Sequence, residues 1–226
     1  MATNSSSFPE AEAGTAGEQT RMALIMAGIR LFGAKGFEAT STREIAAEAK
    51  ANIASIAYHF GGKAGLRLAC AEMVGRRIQA VAGPALRAID PGKDPAAAQA
   101  GFERVIMGVA DFMLGQVEAR DIASFMVREM GAAGPVFDKV YADFIVPVHR
   151  SLCGLLGLTT GHDPESDLIR LGTFSIAGQV VYFRIGHAIV AKRMEWKEVG
   201  PGEVEAIKAV ILSNIRAFVA TNRKPG

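Results

Sequence analysis

Residues 41–62 read STREIAAEAKANIASIAYHFGG, and this stretch decides the fold of the 226-residue chain. Ser41 and Glu44 have the spacing of a capping box, in which each side chain bonds the other residue's backbone N–H, so a short helix is predicted just after Ser41. A second short helix is predicted over residues 53–59, where the Gly-Gly pair 61–62 stops it. Two short helices joined by a tight turn form a helix-turn-helix, whose second helix enters the major groove of DNA.

The outward-facing residues of this motif are candidates for contact with DNA. Arg43 has the hydrogen-bond donors to read guanine, and Asn52 has the donor and acceptor to read adenine. Other side chains of the motif suit phosphate oxygens, which position a protein without reading sequence; these are Tyr58, His59 and Lys63. The full predicted set is Thr42, Arg43, Asn52, Ile53, Ala54, Ser55, Tyr58, His59 and Lys63, while Ile56 and Phe60 are predicted to face inward.

Three of these residues also have a plain structural interpretation. Tyr58 could be a half-buried packing residue, since tyrosine is amphipathic. His59 could be a structural histidine, and Arg43 could be a solvated residue in the first turn of a helix. The sequence leaves these alternatives open.

A longer amphipathic helix is predicted before the motif, from Thr20 to Lys35, with Thr20 capping its start. Its apolar residues recur at helical spacing: Leu24, Ala27, Leu31 and Phe32. The preceding residues 1–19 are rich in Ser, Ala, Gly and Glu, and they are predicted to form a disordered arm.

The rest of the chain has helical periodicity, and no strand-like alternation is sustained. Helices are predicted over residues 63–87, 95–115, 118–130, 135–157, 165–192 and 202–221. The predicted fold class is therefore all-α, with about nine helices in which a three-helix head is joined to a helical body. The predicted domains are the arm at 1–19, a DNA-binding domain at 20–66, and a ligand-binding and dimerisation domain at 67–226.

Charge is distributed unevenly along the chain, although the formal net charge is only +2. Residues 20–66 carry six Lys and Arg residues against three Glu, whereas residues 1–19 carry three Glu and no basic residue. A DNA-binding protein without sequence preference takes its affinity from a strongly basic surface. A net charge of +2 disfavours that class and favours a specific DNA-binding protein.

Catalysis and metal binding are not predicted. The four histidines (59, 149, 162 and 187) lack the HExxH spacing, and neither cysteine lies in a CxxC motif, so no catalytic residue, metal or cofactor is expected. Cys70 and Cys153 are predicted to be reduced, buried thiols, which favours a cytoplasmic location. The apolar stretches fall short of the roughly 20 residues of a membrane span, so no membrane partner is expected.

The stretch from Thr20 to Leu66 resembles the N-terminal domain of TetR-family transcriptional regulators. The resemblance implies that residues 42–61 contact DNA and that Tyr58 and Lys63 are phosphate anchors. Lys50 departs from the family pattern, which has Gly in the turn between the two helices; the left-handed conformation needed there costs a non-glycine residue about 1–2 kcal/mol. The matching segments are Leu31–Phe37, Thr40–Ala46 and Ile56–Phe60, followed by Lys63 and Leu66.

The region after residue 90 contains many Met and aromatic residues, which suit an adaptable pocket for an apolar ligand. Segments 125–130, 146–149 and 176–184 in this region resemble the CecR-like branch of the family. Polar residues within its apolar helices, such as Arg128, Glu129 and Arg184, either pair with each other or bind a ligand. The predicted ligand contacts are Phe112, Met113, Phe125, Met130, Phe144, Gln179 and Tyr182.

The last two predicted helices, 165–192 and 202–221, are predicted to form a dimer interface, and the final one carries an apolar stripe that is too apolar to leave in water. Its residues are Ile207, Ile211, Asn214, Ile215 and Phe218. A two-fold dimer matches a palindromic site, since its two heads lie about one helical turn, or 34 Å, apart. The hypothesis is a homodimeric repressor whose palindromic double-stranded DNA operator is released when an apolar or amphipathic small molecule binds, with activator or dual action left open.

Overall fold

The computed structural model describes residues 15–87, 92, 94–116, 118–131 and 134–225, and these form helices and no strand, which confirms the all-α class. The chain divides into an N-terminal unit, Met1–Cys70, and a C-terminal unit, Ala71–Gly226. The helices are α1 (Ala16–Lys35), α2 (Thr42–Glu48), α3 (Ala54–Phe60), α4 (Lys63–Arg87), α5 (Pro95–Gly115), α6 (Glu118–Met130), α7 (Pro135–Val140), α8 (Val146–Thr160), α9 (Asp167–Ile185), α10 (His187–Met194) and α11 (Pro201–Asn222), with a π-helical segment at Tyr141–Ile145 between α7 and α8.

Helix α1 begins at Ala16, four residues before the predicted start. The cap is Thr15, whose hydroxyl accepts the N–H of Glu18 at 3.3 Å, while the Glu18 carboxylate accepts the N–H of Thr15 at 2.7 Å. Thr20 lies inside the helix and donates its hydroxyl to the carbonyl of Ala16. The prediction of a cap at Thr20 and of an arm reaching residue 19 is therefore wrong for residues 15–19, and the rest of the predicted arm, residues 1–14, lies outside the described residues.

The N-terminal unit is built around the packing of α1 against α2 and α3. The apolar residues predicted for α1 supply much of its core: Leu24 and Phe32 are 0% and 1% exposed. The other helices each contribute a fully buried side chain, which is Ile45 in α2, Ile56 in α3 and Leu66 in α4. This shared core fixes the orientation of the short helix α3, which is too short to be stable alone.

The turn between α2 and α3 is closed by a residue in the left-handed region. Lys50 has φ 52°, and the next residue, Ala51, donates its N–H back to the carbonyl of Ala46 at 2.9 Å. This bond from Ala51 across a left-handed residue is the pattern of a Schellman motif, in which glycine usually occupies the position of Lys50. Lys50, which stands where the family usually has glycine, therefore does adopt the left-handed conformation.

The core of the C-terminal unit is formed mainly by α5, α8, α9 and α11, which pack against one another. Each contributes large side chains that are fully or almost fully buried: Phe102, Leu156, Ile169 and Ile211. Helix α4 begins in the N-terminal unit and continues into the C-terminal unit. Both units therefore include part of one continuous helix.

The single helix predicted over residues 135–157 is divided into α7, the π-helical segment and α8. Pro147 explains the change, because proline has no N–H to donate to the carbonyl four residues earlier and its ring crowds that carbonyl. The carbonyl in question belongs to Asp143, and it accepts a hydrogen bond from the side chain of Gln79 at 3.2 Å instead. The π-helical geometry directly before α8 accommodates this interrupted hydrogen bond.

The helix predicted over residues 165–192 is likewise two helices, α9 and α10, which break at Gly186 and bend by 75°. Among the described residues, no single helix has the length and apolar composition needed to cross a membrane; the bent pair of α9 and α10 passes that test only when the two are taken together.

The apolar stripe predicted for a dimer interface packs inside its own chain. Ile207, Ile211 and Ile215 are between 0% and 4% exposed, and Phe218 packs against the same core. The three isoleucines are therefore unavailable to a second subunit, and that part of the prediction is wrong, whereas Phe218 is only half-buried. Asn214 is exposed and donates a hydrogen bond to Gln179 at 2.8 Å. An amphipathic stripe indicates only that a helix face is buried, not which chain buries it.

Candidate nucleic-acid interface

Helix α3 presents one face to its core and the other to solvent. Ile56 is 2% exposed, whereas Tyr58, two residues on, is 85% exposed. A tyrosine in a folded protein usually buries its ring at least in part. The structure therefore excludes the half-buried interpretation of Tyr58 and leaves its hydroxyl accessible to a partner outside the chain. Phe60, predicted to face inward, is half-buried.

The residues at the start of α3 are exposed as well, but one is already engaged. Ile53 is 48% exposed, Ala54 is exposed, and Ser55 is half-buried. The side-chain oxygen of Asn52 accepts the N–H of Ala54, the first residue of α3, at 2.9 Å. Reading adenine with both atoms of the amide needs that oxygen as an acceptor. That oxygen has a second lone pair, so Asn52 can still offer adenine both an acceptor and its amide hydrogens, while the bond to Ala54 restricts the orientation of its side chain.

Positive charge on the N-terminal unit is partly neutralised by internal ion pairs. Arg30 pairs with Glu48, and Lys35 pairs with Glu44 at 2.7 Å. Two exposed cations form no ion pair with any residue that the structure describes: Arg43, in the first turn of α2, and Lys50, in the turn that follows that helix. Ion pairs thus neutralise the positive charges of Arg30 and Lys35, while the charges of Arg43 and Lys50 in the helix-turn-helix motif stay unneutralised by any described residue.

Lys50 was not among the predicted contacts. Its side chain is exposed in the turn between α2 and α3, so it adds a positive charge to the motif. The charge of the residue was the available signal, since exposed cations near a helix-turn-helix favour contact with phosphate.

Lys63 is the first residue of α4, and its ammonium lies over the ring of Phe37, 4.3 Å from the ring centroid. The guanidinium of Arg67 lies over the same ring at 4.7 Å. Cation–π contacts of this kind restrict a long side chain while leaving its hydrogen-bond donors available. Phe37 itself packs against Phe32, with ring centroids 5.6 Å apart, which joins the two cations to the core of the unit.

The two remaining predicted contacts are half-buried. His59 has its ring edge-on to Tyr58, with centroids 4.9 Å apart, and it also lies 5.9 Å from the ring of Phe60. Both the structural and the phosphate-binding interpretation of His59 agree with this position. Thr42 is half-buried at the start of α2, next to the exposed Arg43.

The start of α2 is held by the capping box predicted from the sequence. The Ser41 hydroxyl accepts the N–H of Glu44 at 3.1 Å, and the Glu44 carboxylate accepts the N–H of Ser41 at 2.8 Å. The pKa of Glu44 is lowered to about 2, chiefly by its hydrogen bond from Lys35 and then by those from Ser41. Helix α2 therefore begins with an ionised carboxylate that ties it to α1.

The seven predicted ligand contacts in the C-terminal unit do not share one environment. Phe112, Phe125 and Phe144 are buried, whereas Met130 and Tyr182 are 56% and 52% exposed. The other two are Met113, which packs partly buried against the core, and Gln179, which accepts the hydrogen bond from Asn214. Their residue types suggested one shared pocket, but the tertiary packing buries some of them in the core and leaves others exposed on the surface. Of the residues the structure describes, no three His, Cys, Asp or Glu side chains are placed to hold a metal ion.

Comparison with known proteins places this geometry in a family. Residues 24–70 match the model of bacterial regulatory proteins of the tetR family, and residues 98–221 match the C-terminal domain of the HTH-type transcriptional dual regulator CecR. The HTH-type transcriptional dual regulator CecR of Shigella flexneri is 32% identical over 204 residues, which cover 88% of this chain and 91% of the relative.

Solved structures of similar regulators have the same fold. A TetR-like transcriptional regulator from Rhodococcus sp. RHA1 matches with a TM-score of 0.64 and 22% identity, covering 89% of this chain and 96% of that one. AibR, solved in complex with isovaleryl coenzyme A and operator DNA, matches with a TM-score of 0.65 and 16% identity, covering 86% of this chain and 96% of that one. The matching family models describe transcriptional regulators and not enzymes. The chain therefore belongs to the TetR family of DNA-binding transcriptional regulators and has a C-terminal domain of the CecR type.

Proposed function

We propose that the protein is a homodimeric repressor that acts in the cytoplasm, binds a palindromic operator and releases it when a small apolar or amphipathic molecule binds the C-terminal unit. The observation that carries the DNA-binding part is Tyr58, which is 85% exposed two residues from the buried Ile56. Exposed cations at Arg43 and Lys50 lie in the same motif. An exposed tyrosine hydroxyl and nearby cations are suited to phosphate contacts.

A dimer is supported by an apolar surface on α9, on the opposite side of this helix from its buried residues. We call this surface the α9 stripe; it consists of Leu171, Val181, Tyr182 and Ile185, which are between 37% and 67% exposed. Their spacing follows a helical period, so they lie along one face. An exposed apolar face of this kind is typical of a protein interface.

The neighbouring helix α11 contributes a smooth surface beside this stripe. Its exposed residues include Ala206, Val210, Ser213, Ala217 and Ala220, which recur every three or four positions. Small side chains allow the helices of a second subunit to approach closely, and two such helix pairs form a four-helix bundle. The proposed interface is thus on the outer faces of α9 and α11, while the inner face of α11 belongs to the core.

Release by a ligand requires that the ligand bind one conformation of the dimer more tightly than the other. The relative AibR has been solved with both isovaleryl coenzyme A and operator DNA, which supports ligand response in a protein of the same fold. Helix α4 extends from the N-terminal unit into the C-terminal unit, so a change in its position is a direct route for coupling.

The experiment is a gel-shift titration with an operator recovered by genome-wide pull-down and with a scrambled duplex. We expect Tyr58→Phe and Lys63→Ala to weaken binding to both duplexes, and Lys63→Ala to reduce the salt dependence by about one phosphate contact. Arg43→Ala is expected to reduce the preference for the operator by about 1–3 kcal/mol, because it removes a contact with a base edge.

Lys197→Ala is the control, since Lys197 is an exposed cation of the C-terminal unit. It is expected to leave both affinities unchanged. Equal losses on operator and scrambled duplex for Arg43→Ala would contradict its assignment as a base reader. A chain that binds every duplex equally, or that recovers no operator, would favour the sequence-blind class and overturn the proposal.

A further inference from the structure

A surface groove of about 360 Å³ lies in the C-terminal unit where the π-helical segment, α8 and the first part of α9 meet. Its volume is within the range of about 300–1,000 Å³ that is usual for small-molecule sites. None of the seven ligand contacts predicted from the sequence lines it. The residues that matter for its chemistry are Tyr141, Ile145, His149, Arg150, Arg170 and Phe174.

One wall of the groove is the π-helical segment itself, which contributes Tyr141 and Ile145. Segments of this kind inside α-helices are rare and occur frequently at functional sites. Pro147 explains why the hydrogen-bond pattern changes here, and the carbonyl of Asp143 is supported from Gln79. The wall is therefore a built feature of the fold and not an irregular end of a helix.

A second part of the lining is aromatic and firmly positioned. The ring of His149 stacks on Phe174, with centroids 3.9 Å apart and planes 23° from parallel. Atom Nε2 of His149 is 3.2 Å from the carbonyl oxygen of Arg170, and because a carbonyl only accepts, this nitrogen carries the hydrogen. The stacked pair is half exposed at Phe174, so an apolar or aromatic group can contact it from the groove.

Two guanidinium groups line the same groove without an internal counter-ion. Arg150 and Arg170 are exposed, and neither forms an ion pair with any residue in the described part of the chain. Glu165 is the one acidic side chain of the lining, so the arginines exceed the acids by one. A carboxylate or phosphate is the group that a guanidinium binds best, through parallel N–H···O bonds.

We infer that this groove binds a small amphipathic anion, with its oxygen head on Arg150 and Arg170 and its apolar or aromatic body between Phe174 and the π-helical wall. The role of this anion as the molecule that releases the operator rests on the proposed function. The binding itself depends only on the groove. Carboxylate and phosphate heads share this chemistry, and the test below distinguishes them.

The test is isothermal titration calorimetry of the full chain with benzoate, phenyl phosphate and the uncharged benzamide. We expect benzoate or phenyl phosphate to bind the wild type, the tighter of the two identifying the head group, and benzamide to bind more weakly. Arg170→Gln is expected to lower the affinity for the tighter-binding anion by about tenfold, because it removes a charge-assisted hydrogen bond. The double variant Arg150→Gln/Arg170→Gln is expected to lower this affinity further. Phe174→Leu is expected to lower the affinities for the anion and for benzamide by a similar factor, because it removes the aromatic stacking surface.

Arg104→Gln is the matched control, since Arg104 is an exposed arginine of α5 that does not line the groove. It is expected to bind as the wild type does. Equal anion affinity in the wild type and the double variant, equal binding of benzamide and the anions, or no binding of either anion would overturn the inference. Gel shifts on the same proteins distinguish the two proposals. Anion binding by a protein that binds no operator would contradict only the proposed function. Operator binding by a protein that binds no anion would contradict only the inference about the groove.

Discussion

Lys50 is a residue whose side chain and backbone have opposite effects on the protein. Its φ of 52° places it in the left-handed region, where a β-carbon crowds the backbone. Its ammonium is exposed in the turn of the helix-turn-helix motif, where positive charge favours DNA binding. The residue thus contributes charge to the motif at a cost in stability.

This conflict predicts that Lys50→Gly stabilises the protein by about 1 kcal/mol while weakening its binding to DNA of any sequence, because glycine accepts the left-handed conformation without crowding. The free energy of unfolding, measured with urea, checks the first part, and a gel shift checks the second. Lys50→Ala separates the two causes, since alanine removes the charge but keeps the β-carbon. If Lys50→Ala stabilised the protein as much as Lys50→Gly, backbone strain would not be the reason.

The carboxylate of Glu44 makes the stability of α2 depend on pH. Its pKa is about 2 in the folded protein, against 4.5 as the ordinary value, because Lys35 and Ser41 donate hydrogen bonds to the ionised form. The folded-state pKa lies below the unfolded one, so the contribution of Glu44 is fully present above about pH 4.5 and is lost as the pH falls toward 2.

We therefore expect Glu44→Gln to reduce the fall in unfolding free energy between neutral pH and about pH 3, because glutamine keeps the capping hydrogen bond but does not titrate. Urea unfolding at the two pH values gives the difference for each protein. Glu38→Gln is the control, since Glu38 is exposed and makes no hydrogen bond with the described residues. A pH dependence that Glu38→Gln reduces as much as Glu44→Gln does would rule out the capping box as its source.

At the scale of the helices, local signals predicted the boundaries that local interactions determine. The capping box at Ser41 and the left-handed Gly61 after α3 lie where the sequence placed them, because a cap depends on residues three or four positions apart. The predicted start of α1 is four residues too late. The acidic composition of residues 1–19 suggested a disordered arm, whereas the capping box of Thr15 and Glu18, which is an equally local signal, starts the helix at Ala16.

Features that depend on tertiary packing were not accessible in the same way. The division of the predicted helix 135–157 had a visible signal in Pro147, but the π-helical geometry depends on Gln79, which is 64 residues from Asp143. The groove likewise combines residues from α8, α9 and the segment between α7 and α8. The helices and caps of the helix-turn-helix motif could thus be predicted from sequence, while the packing environment of the residues proposed as ligand contacts could not.

The packing of α9 on α11 depends on a close approach at Gly172. A β-carbon at this position would overlap the ring of Phe218, which packs against the core of the C-terminal unit. Gly172→Ala is therefore expected to destabilise the protein by about 1–3 kcal/mol, as is usual for overpacking in a close-packed core. Thermal and urea unfolding measure the change.

Gly154→Ala supplies the comparison for this effect. Gly154 lies inside α8, and no atom outside its immediate helical neighbourhood lies within 4 Å of the position of the added carbon. Alanine there is expected to be neutral or stabilising by up to about 1 kcal/mol through its better helix propensity. Similar losses for both variants would show that the ring of Phe218 is not the cause.

At the scale of the whole molecule, the distribution of apolar residues on α9 and α11 determines how the protein can assemble. The inner residues of α11 belong to the core of the chain, as Ile211 and Ile215 at 0% exposure demonstrate. The outer face of α9 keeps Leu171 and Ile185 at 67% and 51% exposure. Burial of such residues in a second copy is favourable by roughly 25 cal/mol for each Å² removed from water.

We expect Leu171→Glu and Ile185→Glu to convert the proposed dimer into a monomer, because two charges at an isologous interface are buried twice, once in each subunit. Light scattering measures the mass, and a far-UV melt verifies that the variant monomer is folded. Operator binding is expected to fall with dimerisation, since one head alone contacts half of a palindrome. Met130→Glu is the matched control, being 56% exposed on α6, and should leave both mass and operator affinity unchanged. A folded Leu171→Glu/Ile185→Glu protein that keeps the mass of the wild type would place the interface elsewhere, and a wild type with the mass of one chain would exclude the dimer.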